Sequence, residues 1–285
     1  MLRERFVPVA IDQACQRRQE DAEGRFYRRV AGQGPRQDFR ATTQGFYVAT
    51  AGGELLLYNN NRDPAKVRRL VADALARFER DAAGRDGAAP IEAGELDRRW
   101  HPSPPEGGLV VRVRAKVLGG YDEPRDRWQE ILQSARSRDN LWVTGEEHDA
   151  LVAGDLPATL LRRLARFHLV DNTRGEPPMW RDDEVQAIEV ARDGDRIAGT
   201  VRLSTADGAR TYDAALLGFV GVERGRITRF DLVAEGVFEG EGRHTRGAPD
   251  GPFPLAVSFS LADGGDVADR VPPQGSRGWV EGYLR

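Results

Sequence analysis

The residues best equipped for chemistry in this 285-residue chain gather in one stretch, FHLVDNTRGEPPMW, residues 167–180. His168 closes an amphipathic run. Asp171, Asn172, Thr173 and Arg174 follow, in a segment limited by Pro177 and Pro178 and ended by Met179 and Trp180. An imidazole with a carboxylate three residues on suggests an acid–base pair, His168 with Asp171. A guanidinium such as Arg174 holds a carboxylate or phosphate. Asn172 and Trp180 complete the ligand-binding set, and the loop is expected to pack on a sheet and line the chief cleft of its domain. The same residue types also serve loops structurally. Asp and Asn make turns, and a histidine at a helix C-terminus favours the dipole.

His244, in GEGRHTRGAPDG, is a second candidate, with Arg246 beside it for binding. His168, His244 and Asp171 or Glu241 approach the three ligands of a catalytic metal. No HxH or HxxxH pair exists, so no metal is expected. Cys15 is the single cysteine, which excludes an intramolecular disulfide. If CQRR opens a helix, its N-terminus and Arg17 or Arg18 would favour a thiolate, making Cys15 a candidate catalytic residue. There is no P-loop, GxGxxG, GxSxG, HExxH or paired CxxC, so no cofactor is expected.

These residues need elements to position them. Ala22, Phe26, Tyr27 and Val30 fall at helical spacing. FYVAT and ELLLY flank AGG, a hairpin signal over residues 46–50 and 54–58. Asp63 and Pro64 open a helix whose Val67, Leu70, Val71, Ala74, Leu75 and Phe78 form one apolar stripe. Residues 81–108 are rich in Gly, Ala and Pro, and His101 there reads as a solvated loop residue. LVVRVRAKVL alternates as a strand, with Arg112, Arg114 and Lys116 on its polar face. A helix with Trp128, Ile131, Leu132 and Ala135 follows. Thr144 and Glu147 propose a capping box for a short helix through Leu151, and another helix carries Leu160, Leu161, Leu164 and Phe167 inward. From Glu184 onward five alternating runs predict a five- or six-stranded antiparallel meander packed on the helices. The tail is expected on the surface, anchored by Trp279 and Tyr283.

The first elements resemble the later part of a thioredoxin-like domain. The resemblance rests on FVPVAIDQ, TTQGFYVATAGGELLLYNN and RDPAKVRRLVADAL, and it covers about a quarter of the chain. It implies a βαββα unit whose first strand is residues 6–11. The family's opening strand and CxxC-bearing helix would precede Met1, and the loop ATTQG lacks the family's usual proline. Either the unit is redox-inactive, or residues 6–11 match the family's first strand and Cys15 is a one-thiol version of its site.

The chain is therefore expected to be α+β with two domains: 1–82 thioredoxin-like, 83–108 a linker, and 109–285 an antiparallel sheet with helices. The net charge of −3 gives no general attraction to nucleic acid or anionic membranes. No apolar stretch is long enough to span a membrane, and the short apolar run near the N-terminus is broken by Asp12, so a cytoplasmic protein is expected. The functional expectation is a non-catalytic binding or scaffold protein with a small-molecule or protein partner. The alternatives are a Cys15 redox protein or an enzyme using His168, Asp171 and Arg174.

Overall fold

The computed structural model describes residues 1–81, 94–276 and 279–285. The chain divides into two units, Met1–Pro102 and Ser103–Arg285. It has helices and antiparallel sheets, as an α+β chain should.

In the first unit, α1 (Leu2–Arg5) and α2 (Gln13–Gln16) are single turns. α3 (Ala22–Ala31) begins where the Asp21 carboxylate accepts a hydrogen bond from the Gly24 amide. β1 (Phe46–Ala49) and β2 (Leu55–Asn59) pair as the expected hairpin, and α4 (Pro64–Asp81) follows. Tyr27, Val30, Ala31, Leu56, Val71 and Ala74 form the small core.

Residues 6–11 are not a strand. Val7 and Val9 are 89% and 74% exposed. Pro8 lies between them and has no N–H to give a ladder, so the apolar alternation has no sheet to join. The βαββα order expected for this unit thus lacks its first strand. The thioredoxin-like resemblance retains only the helix, hairpin and closing helix, α3 to α4.

The second unit is built on one seven-stranded antiparallel sheet. Its elements in chain order are β3 (Leu109–Val117), α5 (Arg127–Ser134), β4 (Asp139–Val143), α6 (Gly145–Ala153) and α7 (Ala158–His168). Then come β5 (Val185–Asp193), β6 (Arg196–Ser204), β7 (Thr211–Glu223), β8 (Arg226–Glu239), β9 (Phe253–Leu261) and α8 (Val280–Leu284). The strand order is β4-β3-β9-β8-β7-β6-β5. The meander therefore recruits β3 and β4 beyond β9, which makes seven strands rather than five or six. β4 has no polar–apolar alternation because all five of its positions are buried, so the sequence carried no period-two signal there.

Helix α7 packs against both β4 and β5, the two edges of the sheet, and α6 packs on the central strand β8. The sheet must curl around these helices to bring both edges to one of them. Its inner face alternates as the strands require. Phe238 stands opposite Phe253, Ala234 opposite Val257, and Leu232 opposite Phe259. The Thr144–Glu147 capping box starts α6 as expected, and Gly154 ends it in the left-handed region. Tyr283, expected on the surface, is 1% exposed in the core, while Trp279 is 64% exposed.

Candidate functional site

The expected pair of His168 with Asp171 does not form. His168 ends α7 facing inward, where its Nε2 lies 2.6 Å from the Tyr283 hydroxyl and its Nδ1 lies 3.1 Å from Asp139 Oδ2. The His168 side chain is fully enclosed. Burial holds the Tyr283 phenol well above its ordinary value, and the Asp139 charge adds to this. Asp139 also accepts the Asn140 and Gln274 amides. The three groups come from β4, α7 and α8, and Asp139 and Tyr283 gave no local sequence signal.

Asp171 instead serves its own loop. Its Oδ1 accepts from the Thr173 amide and hydroxyl, and its Oδ2 lies 2.6 Å from Arg174 Nη2. Arg174, at 1% side-chain exposure, also donates to the Tyr121 hydroxyl at 2.8 Å and to the Thr245 carbonyl. Asn172 donates to Gln274. Trp180 is buried, donates to the Leu169 carbonyl, and lies under the Arg210 guanidinium at 3.9 Å. The loop does pack on the sheet. The cavity it lines with Arg210 and Thr245 has a volume of about 10 Å³, which is the space of one water. It is not the chief cleft.

His244 is exposed and forms a backbone bridge with Glu176, while His168 is enclosed, so the two imidazoles have different surroundings. Arg246 is exposed nearby. Among the described residues no three His, Cys, Asp or Glu side chains group as metal ligands. Arg112, on the basic face of β3, is held by Asp263 and Asp269.

Cys15 lies in the four-residue helix α2, with its Sγ 3.8 Å from Asp12 Oδ2. Burial pushes its thiol up from 9.0 to about 12, and the Asp12 carboxylate adds to the rise. Arg18 acts the other way but more weakly. Its guanidinium sits over the Trp100 ring, and Arg17 donates to the Ala41 carbonyl. The thiolate expected from the helix terminus and the arginines is disfavoured.

A buried polar centre that the sequence did not reveal lies beside His168. Arg163 gives its five N–H groups to Glu147 Oε1 and Oε2 and to the carbonyls of Trp142, Tyr283 and Leu284, at 2.6–3.1 Å. Glu147 also accepts the Thr159 hydroxyl and the Thr144 amide. A fully used guanidinium clamps α6, α7, β4 and the C-terminus together. Its position among the leucines of α7 gives no sequence hint that it turns inward.

The largest hollow in view lies elsewhere. A groove of about 360 Å³ runs between α5 and residues 247–250, lined by Tyr121, Asp122, Glu123, Arg125, Trp128 and Leu132, with Pro249 opposite. Its volume falls in the range of small-ligand sites. Its walls are fixed. Asp126 caps α5 by accepting the Gln129 amide, Gln129 accepts the Arg125 amide, and Gln133 donates to the Asp122 carbonyl. Gly120 turns the chain into the groove at φ +91°, and a Cβ there would lie 3.0 Å from Phe253 Cβ and 3.2 Å from Pro249. The Tyr121 hydroxyl, held by Arg174, ties the groove wall to the loop of residues 167–180. Trp128 is 52% exposed and Ile131 48%. The apolar positions that predicted this helix are turned partly to solvent.

Comparison with family models, with curated proteins and with solved structures gives no match. No helix among the described residues is long and apolar enough to cross a membrane.

Proposed function

We propose that this chain is a non-catalytic binding protein whose second unit receives its ligand in the groove between α5 and residues 247–250. One contrast carries the reading. The groups equipped for catalysis, His168, Asp139, Asp171 and Arg174, are buried and committed to one another. Trp128 stands half exposed beside a hollow of about 360 Å³. An exposed tryptophan on a rigid wall is a recognition feature, because its large ring binds with little loss of side-chain freedom. In the same reading the first unit is a redox-inactive docking module of thioredoxin-like type. The hairpin followed by an amphipathic helix supports this, as does a thiol held protonated.

The reading is tested by amide chemical-shift mapping of the full chain against a library of small aromatic and polar fragments. Shifts should gather at Tyr121, Trp128, Gln129 and residues 247–250, and Trp128→Ala should abolish them. Shifts centred on Cys15 or His168, with the groove silent, would refute it.

A further inference from the structure

The groove's charge is one-sided. Asp122, Glu123 and Asp250 line it against a single cation, Arg125. Among the described residues none of these three carboxylates is joined in an ion pair, although most acids of this unit that face a guanidinium are. Two aromatic rings, Tyr121 and Trp128, share the same hollow, and Trp128 is 52% exposed. Tyr121 cannot add a charge of its own, because burial raises its phenol and the hydroxyl accepts from Arg174. The Arg174 charge beneath it is balanced by Asp171 at 2.6 Å. What a ligand meets is therefore an aromatic wall with an unneutralised acidic rim.

Such a surface suits a guanidinium better than an ammonium. The planar, weakly hydrated guanidinium stacks on an aromatic face while its edge donates to carboxylates, whereas an ammonium is a strongly hydrated point charge. A hollow of about 360 Å³ admits one long side chain with its flanking backbone. Arg125 at the rim would oppose a second cation placed beside the first. Resting on the binding reading above, we propose that the groove captures an arginine side chain of an extended peptide segment from a partner protein, stacked on Trp128 and paired with Asp122, Glu123 and Asp250.

The test uses the full chain and a dye-labelled peptide with one arginine flanked by glycines. Matched peptides carry lysine, citrulline or glutamate in its place, and binding is read by fluorescence anisotropy. The arginine peptide should bind most tightly and weaken as salt rises. Trp128→Ala should weaken it about fivefold to thirtyfold, the span of a cation–aromatic contact. Trp128→Phe should restore part of that loss. A variant joining Asp122→Asn, Glu123→Gln and Asp250→Asn should weaken the arginine peptide and leave the citrulline peptide unchanged. All these residues are exposed or at the surface, and near-ultraviolet circular dichroism of each variant checks that the core persists. Equal binding of the citrulline or glutamate peptide would overturn the inference. So would absence of arginine-peptide binding at millimolar concentration while uncharged fragments still shift the groove amides. That second outcome leaves the binding reading standing, whereas silence to both peptides and fragments would overturn both.

Discussion

At the scale of single residues, the chain uses its chemically versatile groups to hold itself together. Arg163 donates five hydrogen bonds at 1% side-chain exposure. Removing it leaves the Glu147 carboxylate buried without its counter-charge. Arg163→Met should therefore cost about 3–5 kcal/mol in urea unfolding, and a loss under about 1 kcal/mol, the range of an exposed pair, would contradict the clamp. The pair His168 and Arg174 follows the same logic. Read from sequence as accessible ligands of a cleft, they were expected to be replaceable without loss of stability. Both are enclosed, so their joint replacement by Ala should lower the melting temperature by roughly 6–20 °C. An unchanged melting temperature would show that they are not structural. The pH behaviour of Cys15 is also fixed by its surroundings. Its folded thiol is raised above the ordinary 9.0 to about 12, so the fold favours the protonated form. That contribution is present below about 9 and is lost as pH rises toward 12. Alkylation by iodoacetamide at neutral pH should be slower in the folded chain than in urea, and a faster reaction when folded would contradict the burial account.

At the scale of elements, the sequence was legible where period and punctuation agreed. Val111, Val113, Ala115 and Val117 alternate and are all buried. The capping box of α6 was visible as TGEE and forms as read. Thr144→Ala should cost about 1 kcal/mol, measurable by thermal unfolding, and no loss would mean that the cap is redundant. Three features escaped for physical reasons. Pro8 breaks an apolar run that otherwise looks like a strand. β4 is buried at every position, so it has no alternation to detect. The chemistry of the 167–180 loop could be read as types but not as partners, because His168 meets Asp139 and Tyr283, which are remote in sequence. The groove was hidden differently. Trp128 and Ile131 fit a helix facing a core, and only the structure shows them 52% and 48% exposed. Spacing reports that a helix has an apolar face, not whether anything covers it.

At the scale of the molecule, the two units differ in what sustains them. The main apolar cluster runs through the strands and helices of Ser103–Arg285 and includes Trp142, Trp180, Phe230 and Phe259. Met1–Pro102 buries a handful of apolar side chains around one hairpin. Calorimetry should therefore resolve two transitions, with the first unit melting at lower temperature. A single transition would mean that the units unfold together. The central claim is that the second unit binds through the groove and that its buried polar groups are structural. Crystals of the chain soaked with mixed aromatic and cationic fragments test this most directly. The account predicts fragment density against Trp128, between α5 and residues 247–250. Fragments seated instead beside His168 or Cys15, with that groove empty, would contradict it.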